Sequence, residues 1–292
     1  MIIRLPIILS ILCLMAVSGW TQKMPAYQLF NEKGKPTSYA KMLRTLAKAD
    51  VVLFGELHNN PICHWLELQL LRDLHQTHDS LVLAMEMFEA DNQLVLDEYL
   101  QGTIQEKHLL NEAKVWNNYS TDYQPLIEFA KTKGIPVVAS NIPRRYANLV
   151  YRQGLPALDS LSGEAQQWIA PLPIEVDMQL SSYQEMLAMM GGSSHGGESG
   201  EAKTLVHAQA VKDATMAHFV LKQLPRPVFH VNGAYHSQDK EGIGWYLLQA
   251  RPDLTIMNIN TVEQESVDKL LEKNQTKADF TICIPSDMTK TY

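Results

Sequence analysis

The chain reads as an α/β protein with a mainly parallel open sheet flanked by helices. Three observations predict this. Six short apolar runs recur with helical stretches between them. The inner runs are apolar at successive positions rather than alternating, as expected of parallel strands covered on both faces. Two of the runs also end in the same pattern, Gly-x-x-His. Val51–Phe54 leads into Gly55-Glu56-Leu57-His58, and Pro227–Asn232 leads into Gly233-Ala234-Tyr235-His236. A Gly at a strand's carboxyl end lets the backbone turn, and the His that follows projects over the sheet edge where open α/β sheets bind ligands.

The amino terminus precedes this pattern. Arg4 is followed by the apolar stretch Leu5 to Val17, with Ala16 and Ser18 at the spacing of a signal-peptidase site. An apolar core of about 13 residues is too short to span a bilayer and reads as an export signal over residues 1–18. The mature chain is expected to be exported and soluble. Leu12 stands before Cys13 where lipid attachment wants Gly, Ala or Ser, which argues against a lipid anchor. The remaining 19–292 reads as one domain.

The elements then follow in order. After the strand at 51–54, Pro61 opens a helix whose Ile62, Leu66, Leu70 and Leu74 share a stripe. The second strand is Leu81–Met87. Pro125 lies in the first turn of a helix ended by Gly134, the usual asymmetry of proline early and glycine late. The third strand is Ile135–Ser140, and Pro143 starts a helix that ends at Gly154. The span from Ser140 to the strand at Pro227–Asn232 is far longer than a crossover needs. It reads as helical throughout, apart from a Gly/Ser-rich loop at 190–200. We take it as a helical insertion, about residues 145–225, covering the carboxyl edge of the sheet. Leu254–Asn260 and Phe280–Ile284 complete the strands.

Composition narrows the partners. The 292 residues carry a net charge of −7 with no basic block, so nucleic acid is not an expected partner. Beyond the signal, Cys63 and Cys283 remain, without a CxxC pair. They allow either one disulfide or two buried thiols.

Strand ends are where the chemistry should lie. Glu56 and His58 follow the first strand, Glu86 and Glu89 the second, Asn141, Arg144 and Arg145 the third, and Asn232, Tyr235 and His236 the fourth. Glu86 interrupts an apolar strand, and a buried carboxylate needs a partner. That partner is either Arg144 or Arg145 in a salt bridge, or a ligand site. His58, Glu86 and His236 would together make a His₂Glu set of the kind that holds catalytic zinc. Gln209, Asp213 and Met216 share a helix face and suggest polar contacts near the site. His64, His75, His78, His108, His207 and His218 read as surface or capping residues, and His230 as a packed strand residue. His195 stands in the Gly/Ser loop just after Met189 and Met190; a Met/His set could touch metal or haem, and a solvated linker is the alternative. Gly242-x-Gly244 lacks the third glycine of a dinucleotide fingerprint, and neither a nucleophile elbow nor a Walker loop occurs.

These motifs, in this order, resemble the ChaN-like haem-binding uptake proteins of the wider Tiki/TraB and erythromycin-esterase-like superfamily. The matching stretches are Phe54-Gly55-Glu56-Leu57-His58, Ala84–Phe88, Ile135–Arg144, Gln209-x-x-x-Asp213-x-x-Met216-Ala217 and Asn232–His236. The resemblance implies an exported protein that binds haem or iron, held between protomers of a homodimer and serving an envelope uptake machinery. The pocket expected from the strand ends and the helix face, formed from Glu56, His58, Glu86, Asn141, Arg144, Gln209, Asp213, Asn232, Tyr235 and His236, would receive that ligand. Tyrosine is the expected axial ligand, with Tyr235, Tyr119, Tyr123 and Tyr183 as candidates. Other branches of the superfamily imply a metal-dependent hydrolase, peptidase- or esterase-like, with a divalent metal such as zinc on His58, Glu86 and His236 and Glu56 as general base. A third reading is an interaction module whose strand-end polar residues are only hydrogen-bonded.

Overall fold

A computed structural model describes residues 24–191 and 200–292. The expected export signal over residues 1–18, Cys13, and His195 with most of the Gly/Ser loop lie outside the described residues. Seven strands form one sheet: β1 (Gln28–Asn31), β2 (Val51–Glu56), β3 (Val82–Glu89), β4 (Val137–Asn141), β5 (Val228–Gly233), β6 (Ile256–Gln264) and β7 (Phe280–Pro285). Their spatial order is β1-β7-β6-β2-β5-β3-β4, and every pair is parallel except β1 with β7. The mainly parallel open sheet is therefore as expected, and the six expected strands are all present. The seventh, β1, is a short edge strand that the apolar-run criterion passed over. The sheet is flanked by α1 (Tyr39–Leu46), α2 (Pro61–Thr77), α3 (Gln93–Leu100), α4 (Glu106–Glu112), α5 (Gln124–Lys133), α6 (Arg144–Gln153), α7 (Gly163–Gln166), α8 (Ser181–Gly191), α9 (Gly200–Leu221) and α10 (Ile243–Ala250).

Strand alternation divides the core in two. Val52 and Phe54 of β2 join Leu83, Met85, Phe229 and Val231 in a cluster with Leu66, Leu70 and Leu74 of α2. Val51 and Leu53 face the other way and pack with Val82, Ala84 and Val228 against Met216 and Val220 of α9 and Leu247 of α10. A sheet buried on both faces explains why the inner strands show no polar alternation. Burying a large aliphatic side chain contributes roughly 1.5–3 kcal/mol, so these two clusters hold the layers together.

Local signals fix the helix ends. Pro61 is the first residue of α2, with Asn60 accepting from the Ile62 N–H at 3.0 Å. Gly134 closes α5 in the left-handed conformation, φ +66°. Cys63 and Cys283 are both buried and unpaired, which settles the cysteine alternative in favour of two thiols.

The span between β4 and β5 differs from its expected form. Residues 167–180 contain no helix, because Pro171 and Pro173 remove the N–H donors a helix would use there. The span also divides in role. Part of α9 packs under the sheet with α6 and acts as the crossover to β5. Only α8 and the first turns of α9 stand beside the carboxyl edge, where Met186, Met189, Leu205 and Gln209 line a cleft.

Connections place that cleft. The chain leaves β2 and passes through α2 to β3, beyond β5; it leaves β5 and passes through α10 to β6, on the far side of β2. Adjacent parallel strands whose successors diverge open a crevice at their carboxyl ends.

Gly242 precedes α10 at φ +53°, and a Cβ there would lie 2.4 Å from the His236 carbonyl oxygen. A Cβ on Gly244, two residues on, meets its nearest atoms at 3.7 and 3.8 Å, ordinary contact. Gly242→Ala is therefore expected to destabilise the fold by about 1–3 kcal/mol. Gly244→Ala, inside the helix, should be neutral or stabilising by about 0.5–1 kcal/mol. Urea midpoints of the two variants check the difference.

Candidate functional site

The two Gly-x-x-His motifs are neighbours. In the β2/β5 pairing Gly55 stands opposite Asn232 and Glu56 opposite Gly233. Side-chain alternation then sends Glu56, like Val52 and Phe54, toward α2. In β3, Glu86 follows Val82 and Ala84 to the α9 face. The imidazole of His58 bridges the two sides by lying across the end of β5. A Cβ on Gly233 would fall 2.6 Å from His58 Nε2 and 3.6 Å from Glu86 Oε2. Only glycine leaves room for this crossing.

On the α9 face, His236 sits between two carboxylates. Its Nδ1 is 2.5 Å from Asp213 Oδ1 and its Nε2 is 3.2 Å from Glu86 Oε1. Glu86 Oε2 accepts the Gly233 N–H at 2.7 Å, and Asp213 Oδ2 accepts the Tyr183 hydroxyl at 2.7 Å. Gln209 Nε2 approaches His236 Nδ1 at 2.9 Å. Burial alone would lower the His236 pKa, but the charges of Glu86 and Asp213 outweigh it and push it up to about 10. Burial would likewise raise Glu86, and the His236 charge overrides it, holding Glu86 at about 2. The result is a buried imidazolium between carboxylates.

On the α2 face, Glu56 Oε1 is 2.5 Å from His58 Nδ1 and accepts the Tyr123 hydroxyl at 2.7 Å. Behind it lie His64 and Glu67 of α2, both buried. His64 Nδ1 is 3.4 Å from Glu56 Oε2 and 3.3 Å from Glu67 Oε2. Burial tends to raise Glu56, yet hydrogen bonds from His58 and His64 hold it well below the ordinary carboxylate range. For Glu67, burial and the charge of Glu56 act together and push it well above that range. Two carboxylates within 4.8 Å repel by about 3–4 kcal/mol at an effective dielectric of 20, so one of them stays protonated. His64 is pushed up to about 11, since Glu56 and Glu67 outweigh its burial. The segment from Trp116 to Tyr123, which includes a π-helical turn over Tyr119–Tyr123, closes this side. Trp116 packs edge-on against His58 with ring centres 4.9 Å apart.

A cleft of about 950 Å³ opens above both motifs, at the upper end of the usual range for small-molecule sites. Glu56, His58, Gln209, Tyr235 and His236 line it. Glu86 and Asp213 sit directly behind His236. Asn232 is buried beneath the turn, donating to Gly233 O and Ser237 Oγ at 2.9 Å each. Asn141 donates to the Glu86 carbonyl at 3.1 Å but stays outside the cleft lining, as does the exposed Arg144. The expected alternative of a Glu86–arginine bridge does not form: Arg145 pairs with Asp91 at 2.5 Å, and the partners of Glu86 are His236 and the Gly233 N–H.

Three expectations for other residues are corrected. His64 is not a surface residue; at 6% exposure it is a core member of the Glu56 network. Tyr123 and Tyr183 are not free to ligate iron, because their phenols are buried on carboxylates that raise their pKa further. Tyr119 is buried in the apolar core as well. Tyr235, by contrast, is 46% exposed and faces the cleft. Sequence reasoning missed Asn118 and Asp122, which come from a segment without periodicity, and took Tyr123 for a candidate iron ligand rather than a partner of Glu56. It also missed Glu67, although His64 and Glu67 fall on one helix stripe with Leu71 and Leu74.

The residues 42–247 match the family described as haem-binding uptake, Tiki superfamily, ChaN. The chain belongs to this family. Among solved structures it is similar to one of cofacial haem binding to ChaN of Campylobacter jejuni, at 20% identity and a TM-score of 0.67, covering 88% of this chain and 96% of that one. That likeness concerns the fold. It is also similar to a succinoglycan biosynthesis protein, at 12% identity and a TM-score of 0.49, over 89% of this chain and 94% of that one. An erythromycin esterase, EreC, in its open conformation matches at 12% identity and a TM-score of 0.47, over 82% and 77%. No curated protein sequence matches the chain.

The amino terminus of α8, in one wall of the cleft, is held by a carboxylate. Glu241 Oε1 accepts the Ser181 hydroxyl at 2.6 Å, and its Oε2 accepts the Ser182 N–H and hydroxyl at 2.8 and 2.9 Å, at the amino terminus of α8. Burial tends to raise the Glu241 pKa, but these hydrogen bonds dominate and lower it. A lowered folded-state pKa contributes stability above the ordinary glutamate pKa that is lost as pH falls through the folded value. Amides of α8 should therefore exchange hydrogen faster, relative to intrinsic rates, as pH drops below about 4. Glu241→Ala should show the same acceleration already at pH 7, and hydrogen-exchange mass spectrometry reads both.

Proposed function

We propose that this chain is an exported haem-binding protein that holds haem in the cleft at the carboxyl ends of β2 and β5, with the Tyr235 phenol as axial ligand. The observation that carries this reading is the character of the cleft in a member of the haem-binding uptake family. It is large, it lies at the switch point, and its rim offers Met186, Met189, Leu205 and an exposed tyrosine. Methionine and aliphatic walls suit a porphyrin face, and a phenolate is an established type of ligand for ferric haem. Lys273 is the only lysine or arginine among the described lining residues and is placed to meet a propionate. The exposed rim, with Tyr235 at 46% and Met189 at 64% exposure, leaves one haem face open for a second copy of the chain. Export rests on the signal read over residues 1–18, and no helix among the described residues is long and apolar enough to cross a membrane.

Haemin added to the mature protein should give a saturable Soret shift. Tyr235→Phe should weaken binding about tenfold or more, a loss of at least about 1.4 kcal/mol, and remove the charge-transfer band of a phenolate ligand. A wild type without saturable change, or a Tyr235→Phe variant identical to it, would contradict the reading.

A specific geometry also favours a second reading, a metal-dependent hydrolase. Both motif histidines carry a carboxylate on Nδ1, Glu56 for His58 and Asp213 for His236. The His236 Nε2 faces Glu86 directly, and that of His58 lies beside it over Gly233. Such carboxylate–histidine pairs orient metal ligands. In this scheme the Glu56 Oε1 is occupied by His58 and Tyr123, so Glu56 orients His58. This reading predicts a divalent metal that Glu86→Gln removes, read by elemental analysis of the purified chain.

A further inference from the structure

Behind Glu56 lies a group that neither reading uses. One donor atom each from Glu56, His64 and Glu67 falls within 4.8 Å of the other two, and all three residues are buried. His64 Nδ1 is the meeting point, 3.4 Å from Glu56 Oε2 and 3.3 Å from Glu67 Oε2. Glu56 Oε2 has only the long contact from His64 Nδ1, at 3.4 Å, and Glu67 Oε1 has no hydrogen-bond partner among the described residues. Buried carboxylate oxygens so poorly satisfied are rare, and a bound cation would satisfy them.

The other side of His64 is already prepared. Its Nε2 is 3.1 Å from the His58 carbonyl oxygen and 3.3 Å from Asp122 Oδ2. Both are acceptors, so Nε2 keeps its proton when a metal ion replaces the proton on Nδ1. Asp122 is held in turn by Asn118 Nδ2 at 2.7 Å and by the Thr291 hydroxyl at 2.9 Å. This is the outer-sphere support that metal-ligating histidines receive.

We propose that Glu56, His64 and Glu67 form a buried site for one divalent transition-metal ion of the zinc or manganese class. Mixed nitrogen and carboxylate donors suit these ions, whereas calcium takes oxygen alone. Two carboxylates and a neutral imidazole balance a divalent charge that the group otherwise meets with protons. Glu56 is the member of the group that lies at the cleft. The site is distinct from His58, Glu86 and His236, and it acts on them by fixing Glu56 beneath His58. It does not rest on haem binding.

The test uses the full mature chain, stripped with a chelator and titrated with zinc chloride, with bound metal measured after gel filtration. Wild type should take up a saturable equivalent and melt at a higher temperature when loaded. Glu67→Gln, which keeps the side-chain volume, should lose that equivalent or bind it at least about tenfold more weakly, while His236→Ala retains it. No saturable uptake by wild type overturns the proposal. So does uptake by Glu67→Gln equal to wild type, or an equivalent lost in His236→Ala alone. Where Glu67→Gln fails to fold, cobalt(II) in the wild type decides: X-ray absorption should show a mixed nitrogen and oxygen shell, and His64→Gln should abolish it. Cobalt that does not bind, or that stays bound in His64→Gln, overturns the assignment.

Discussion

Parallel pairing of β2 with β5, in the register that sets Glu56 opposite Gly233, decides where every other functional group can go. The pairing makes neighbours of two motifs that lie far apart in sequence. It sits where the following connections diverge, so the strand ends open onto a crevice rather than a packed loop. Alternation along the strands then assigns Glu56 to the α2 face and Glu86 to the α9 face. Gly233 alone lets the His58 ring pass between them. A slip of β2 by one residue in this register would turn Glu56 to the wrong face.

The same arrangement concentrates charge where water cannot reach it. Glu56, Glu67, Glu86, Asp122 and Asp213 are all buried, and their partners are His58, His64 and His236. Removing one member of such a set leaves an uncompensated buried charge, typically at a cost of about 3–5 kcal/mol. The inner wall of the cleft is therefore rigid. The outer wall is α8, tied at its amino terminus by Glu241 and further along by Tyr183 on Asp213, with Met189 exposed toward its end.

Much of this was legible in the sequence because it rests on local rules. Unbroken apolar runs marked the inner strands, and the glycine and histidine at two strand ends marked the crevice. Glu86 was conspicuous as a carboxylate inside a strand. The strand-end rule failed at β4, where Asn141 and Arg144 stay outside the cleft. In the order β2-β5-β3-β4 that strand is at the sheet edge, about 10 Å beyond β5 at the usual strand spacing, and no periodicity reveals strand order. β1 escaped notice because it is only four residues long and lies at the sheet edge, paired with β7 alone among the strands. His64 was misread because a helical histidine is usually exposed, although Leu71 and Leu74 continue its stripe inward. Tyr123 and Tyr183 could not be told from Tyr235 without knowing which phenols meet carboxylates.

Crystals of the haemin-loaded protein measured at the iron absorption edge test the central claim most directly, since anomalous scattering locates the metal whatever the quality of the porphyrin density. The account predicts an iron peak in the cleft above the carboxyl ends of β2 and β5, within bonding distance of the Tyr235 oxygen. An iron peak elsewhere on the molecule, or inside the cleft but ligated by another side chain, would contradict it.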